Sequence, residues 1–126
     1  MKIEEMRMLG IEEMKKELEI VSDHVPALAS LATYYLKIGQ PVEAKPYGER
    51  AAKAAPGTFV VRLTYGRVLL ELDELPAAIV ELELAERLAP ENAEVHYSLA
   101  AAYGRAGRTA DAARQRAEYA RLKKLP

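Results

Sequence analysis

Small residues recur along this chain at a fixed step of 34 positions, and no other feature limits its fold as much. Ala32, Gly66 and Ala100 stand 34 apart, and so do Ala44, Ala78 and Ala112. Leu31, Tyr65 and Leu99 keep the same step, as do Ala51 and Ala85, and Pro56 and Pro90. A period of this length marks stacked supersecondary units, none of which can bury its apolar face alone. The chain's 126 residues amount to about one domain, with a core shared between neighbouring units.

Each unit reads as two helices joined by a tight turn. In the first, Leu28, Leu31, Ala32, Tyr35 and Ile38 recur at helical spacing from Val25 to about Ile38. Gly39-Gln40-Pro41 breaks the chain there, and a second helix runs to about Ala54, ahead of Pro56-Gly57. Thr58 is the expected N-cap of the second unit, whose inner face holds Leu63, Gly66, Leu69 and Leu70. That unit turns at Asp73-Glu74-Leu75-Pro76, and Ile79, Leu82, Ala85 and Leu88 are expected to bury its second helix. The third unit starts at Asn92, turns at Gly107-Arg108, recaps at Thr109 and runs to about Lys124. Period-two alternation is absent, so the fold class is all-α.

These residues resemble the tetratricopeptide repeat, a 34-residue helix-turn-helix with small residues at fixed places in both helices. Leu31-Ala32 with Tyr35, Tyr65-Gly66 with Leu69, and Leu99-Ala100 with Tyr103 match the signature of its first helix, helix A. Ala44 with Ala51, Ala78 with Ala85, and Ala112 match the second, helix B. The resemblance covers residues 24–126 and implies an α-solenoid of antiparallel helix pairs wound into a right-handed superhelix. It divides the chain into repeats at 23–57, 58–91 and 92–126, the last with a polar C-terminal helix.

Residues 1–22 stand outside those repeats. Ile11, Met14, Leu18 and Val21 share a helical face, which suggests a capping helix or degenerate half-repeat. The same face would also suit a helix lying in the chain's own groove, or one exchanged with a neighbouring molecule. Other departures lie within the repeats. Arg62 and His96 occupy the large apolar place that Leu28 fills in the first unit, and Tyr119 replaces a small helix-B residue in the last. A terminal repeat has no successor, so a polar outer face there is expected. Pro46 and Gly48 sit inside a helix, where Pro46 removes a hydrogen bond. Either the kink is tolerated or it shapes a surface for a partner.

Chemistry finds little footing. The chain has no Cys and only two His, His24 and His96, neither in a nucleophile or metal-ligand pattern. Gly104 and Gly107 belong to a turn rather than a phosphate loop. No enzyme activity, metal or cofactor is expected. The net charge of -1 creates no global field toward nucleic acid or membrane. The acid-interrupted N-terminus is not a secretory signal, and no run nears the roughly 18 apolar residues of a membrane span. A cytoplasmic location is therefore expected, and the sequence is compatible with a section of a longer protein.

The resemblance implies a concave groove lined by the A helices, for a peptide or helix of a partner protein. Carried onto this sequence, its lining would be Ala29, Thr33 and Lys37, then Leu63, Arg67 and Leu70, then Tyr97, Ala101 and Arg105, with Pro26, Glu71 and Glu94 beside them. The subtype that clamps chaperone C-terminal tails is argued against, since Ala29, Thr33, Thr64, Glu94 and Ser98 hold its clamp places and supply no cation. Charge is also segregated. Residues 71–94 carry eight acids against Arg87, and residues 101–126 carry seven bases against Asp111 and Glu118. Ordinary solvated faces account for this. So would head-to-tail self-association, an acidic partner for the last helix, or RNA at that end, where only Tyr119 offers a stacking ring among the bases. The alternative to groove binding is thus a structural module that assembles through its repeat ends or its N-terminal helix.

Overall fold

The computed structural model describes residues 3–125, which form seven α-helices and no strand. These are α1 (Ile3–Ile20), α2 (Val25–Lys37), α3 (Pro41–Ala54), α4 (Phe59–Glu71), α5 (Leu75–Leu88), α6 (Ala93–Arg105) and α7 (Thr109–Lys123). α2 packs on α3, α4 on α5 and α6 on α7, as helix hairpins. α3 then meets α4, α5 meets α6, and α1 lies against α2. The result is an α-solenoid of antiparallel helix pairs.

The local devices that build it also repeat every 34 residues. Gly39, Asp73 and Gly107 each take a positive φ, of 75°, 58° and 78°, at the turn between the two helices of a pair. One residue later, the amides of Gln40, Glu74 and Arg108 reach back five residues to the carbonyls of Tyr35, Leu69 and Tyr103. This is the Schellman closure of a helix C-terminus, which satisfies otherwise orphaned carbonyls. The N-caps of α2, α4 and α6 are His24, Thr58 and Asn92. His24 Nδ1 and Asn92 Oδ1 accept backbone amides of the first turn, whereas the Thr58 side chain makes no capping bond. Arg108, not Thr109, holds the cap position of α7.

The small residues lie where helices cross. Ala32, Ala44, Ala51, Ala78, Ala85 and Ala112 are all buried. A Cβ on Gly66 would come within 2.7 Å of the Leu82 side chain and 3.3 Å of the Leu82 backbone nitrogen. The backbones of α4 and α5 thus approach too closely for any side chain at that place. Gly48 has the same role between repeats, since a Cβ there would meet the Tyr65 ring at 3.0 Å. α3 runs unbroken through Pro46, whose side chain is exposed.

Arg62 and His96 do not continue the apolar place of Leu28. Arg62 Nε donates to the Pro56 carbonyl at 2.8 Å and its Nη1 to Glu81 at 2.7 Å. One repeat on, His96 Nε2 donates to the Pro90 carbonyl at 2.6 Å, and its Nδ1 meets the amide of Gln115, which in turn donates to Glu86. Pro56 and Pro90, Arg62 and His96, and Glu81 and Gln115 are each 34 apart. In the first repeat the matching carbonyl, that of Ser22, accepts Arg50 instead. Each junction between repeats therefore carries a carbonyl held by a side-chain donor. These polar substitutions are junction clamps, and only His96 belongs to the terminal repeat.

Two buried clusters fill the interior. Ile11, Leu18, Leu28, Leu31 and Val61 are in the first, and Leu69, Leu82, Val95, Leu99 and Tyr103 are in the second, with Tyr65 packed against both. α1 therefore covers α2 through Ile11 and Leu18. Three residues expected on inner faces are not there. Val21 lies beyond the end of α1 and Ile38 beyond the end of α2, while Leu88 ends α5; all three are exposed.

Candidate functional site

The face shared by α2, α4 and α6 is recessed in two places. The first recess, about 530 Å³, is lined by Ala29, Thr33 and Lys37 together with Tyr34, Ile38, Val60 and Arg7. The second, about 400 Å³, is lined by Arg67, Leu70 and Glu71 of α4 and by Glu94, Tyr97, Ala101 and Arg105 of α6, with Leu36 of α2 beside them. Helical spacing explains this gathering: residues three and four apart lie on one face of each A helix. Small side chains at Ala29, Thr33 and Ala101 leave the depth.

Eight of the nine groove residues expected from the sequence line one recess or the other. Leu63 does not: it is half-buried and packs against the second core cluster. Of the three beside them, Glu71 and Glu94 line the second recess, while Pro26 is exposed and lines neither. Arg7, Ser30, Tyr34, Leu36, Ile38, Val60 and Ser98 line the recesses without having been expected. Val60 could have been found, because it stands 34 residues after Pro26 and 34 before Glu94.

The groups differ in how firmly they are held. Arg105 Nη1 donates to the Leu70 carbonyl at 2.9 Å, at the C-terminal end of α4. This fixes its guanidinium against the wall and gives an end-of-helix acceptor, already met by the Asp73 amide, a second donor. Tyr97 is 59% exposed, and its ring lies 5.3 Å from that of Tyr119 on α7. The residue that breaks the small-residue pattern of helix B thus supports the open end of the groove.

Neither histidine sits in the recesses. His24 caps α2, and His96 is buried at the last junction. Among the described residues, no group of three or more His, Asp or Glu is gathered to hold a metal ion. No described helix is long and apolar enough to cross a membrane.

A model of the TPR (tetratricopeptide) repeat matches residues 66–107. The same fold appears in solved structures titled MamA. One, "Crystal structure of MamA", is 25% identical with a TM-score of 0.87 and covers 98% of this chain and 75% of that one. Residues 66–107 thus match a tetratricopeptide repeat, within an α-solenoid whose fold these structures share. A "MamA R50E mutant" is 27% identical with a TM-score of 0.74, over 90% of this chain and 82% of that one. "MamA 41-end from Desulfovibrio magneticus RS-1" is 23% identical with a TM-score of 0.84, over 93% of this chain but only 66% of that one. No curated protein matches the sequence. The repeat match and the shared fold support a protein-interaction or scaffold module.

Proposed function

We propose that this chain binds a peptide or helix of a partner protein along the face shared by α2, α4 and α6. The observation that carries this reading is the pair of recesses, of about 530 and 400 Å³, on the face that these helices share. Exposed Tyr97 supplies an aromatic contact at one end, and tyrosine is a common anchor at interfaces. The junction clamps lie outside the recesses and, of the buried core, only Leu70 reaches the lining, so the exposed lining residues can change without loss of the scaffold.

The test is direct binding by partner segments from a peptide array, read against Arg67→Glu and Tyr97→Ala. Both residues are exposed, so the variants are expected to keep helicity and stability and to lose binding. Variants that bind as well as the parent would remove the groove from the account.

Self-assembly is the second reading. It is favoured by Met8 and Leu9, which are exposed on α1 between Glu5 and Glu12, and by the basic α7. Light scattering across salt concentration separates the two. Charge-matched assemblies dissociate as salt rises, and a monomer at every salt concentration leaves the groove reading alone.

A further inference from the structure

The two recesses differ in charge. Around the first, Tyr34, Ile38 and Val60 present apolar surface beside two cations, Lys37 and Arg7. Arg67, Glu71 and Glu94 share the second, and their side chains form no ion pair among the described residues. Elsewhere the chain pairs such groups: Lys45 with Glu74, Arg62 with Glu81, Arg108 with Asp111. Opposite charges that share a recess without pairing are open to partners from outside. Leu36, Leu70 and the Tyr97 ring border them, which thins the water around an incoming ion and strengthens its attraction.

This combination selects by repulsion as well as attraction. A wholly acidic segment would set like charges against Glu71 and Glu94, and a wholly basic one against Arg67. Small side chains at Ser30 and Thr33 in the first recess and at Ser98 and Ala101 in the second leave room for an approaching helix, about 10 Å across with its side chains. Resting on the groove reading, we propose that the occupant is a mixed-charge amphipathic helix of a partner protein. Its apolar side chain enters the recess at α2, its acidic side chain meets Arg67, and its basic side chain meets Glu71 and Glu94.

The experiment is selection from a display library of random peptides about 20 residues long, enough for stable helical turns, on the intact chain. A control carries Ser30→Trp and Glu94→Trp, two exposed positions, with its fold checked by circular dichroism. The chain is expected to enrich peptides that combine an apolar residue with both an acid and a base. Arg67→Glu should weaken those peptides about tenfold or more, the size of one lost charge-assisted bond, and reselection on it should drop the acid. Reselection on Glu71→Lys with Glu94→Lys should drop the base. Enriched peptides that avoid the blocked control but lack these charges, or are unmoved by the reversals, overturn the charge rule and leave groove binding standing. Peptides that bind the blocked control equally well, or no enrichment at all, overturn the groove reading itself. Sedimentation of the chain alone covers the remaining occupant: an oligomer dissolved by the blocking pair makes a second copy the guest and overturns the proposal.

Discussion

Asp73 is the residue at which the repeat pattern is least comfortable. Its φ of 58° matches those of Gly39 and Gly107 at the equivalent turns, but it carries a side chain in a region that glycine enters freely. Asp73→Gly is expected to raise stability by about 0.5–1 kcal/mol, the residual cost of an Asp held left-handed less the added freedom of the unfolded chain. Urea denaturation checks it, and a loss of stability would mean the carboxylate has a role the backbone does not reveal. The small residues were legible in the sequence because their reason is local and repeated: one helix crossing, three times over. Arg62 and His96 were harder. A buried polar group is intelligible only with its partners, and those lie 6 and 19 residues away, on a turn carbonyl and the next helix. The spacing that unites the two clamps was present in the sequence. What it lacked was any sign that a carbonyl at each junction needs a donor.

At the scale of helices, the clamps and the inter-helix hydrogen bonds can be tested by removing one partner or both. Arg62 and Glu81 are about 15% and 14% exposed. Arg62→Ala leaves Glu81 and the Pro56 carbonyl without a donor and is expected to cost about 3 kcal/mol, whereas Arg62→Leu with Glu81→Leu should cost far less. A double variant as damaged as the single one would show that the pair is not the source of the loss. α6 is tied to α5 by Tyr103, whose hydroxyl donates to Glu83 at 2.6 Å. Burial, and then that bond, push the phenol up to about 12 from a usual 10.0. A raised folded-state value contributes stability that is complete below the unfolded value. It is lost as pH rises from about 10 through about 12, some 2–3 kcal/mol in all. Tyr103→Phe should be less stable than the parent at pH 9 and lose this share of the alkaline decline; equal slopes for the two proteins would contradict it. Helix ends were the least legible elements. Periodicity placed Val21, Ile38 and Leu88 on inner faces, yet each lies at or past a helix terminus, where no neighbouring helix arrives to cover it. Eight of the nine residues expected on one face of the A helices border the two recesses, because three A helices repeat that face, while seven other lining residues were not foreseen. Leu63 escaped because its leucine side chain turns into the core while its equivalents, Ala29 and Tyr97, stay on the recessed face.

Over the whole molecule, the two buried clusters communicate through Tyr65, which packs against both and reaches into the space left by Gly48. Solenoids gain stability from each repeat and from each interface with a neighbour, so weakening one interface loosens the coupling of the halves. Tyr65→Ala is expected to cost about 3–5 kcal/mol and to broaden or split the urea transition, because the N-terminal cluster can then open without the C-terminal one. Hydrogen exchange should show amides of α1–α3 losing protection first; a single sharp transition of unchanged slope would count against Tyr65 as the link. The aromatic content of the chain has an optical consequence. It contains seven tyrosines and no tryptophan, and Tyr97 stands at the mouth of the groove against Tyr119. Excited in the ultraviolet, the free protein emits as tyrosine alone, so an indole brought in by a guest would draw energy from the ring at that mouth and announce docking without any attached dye.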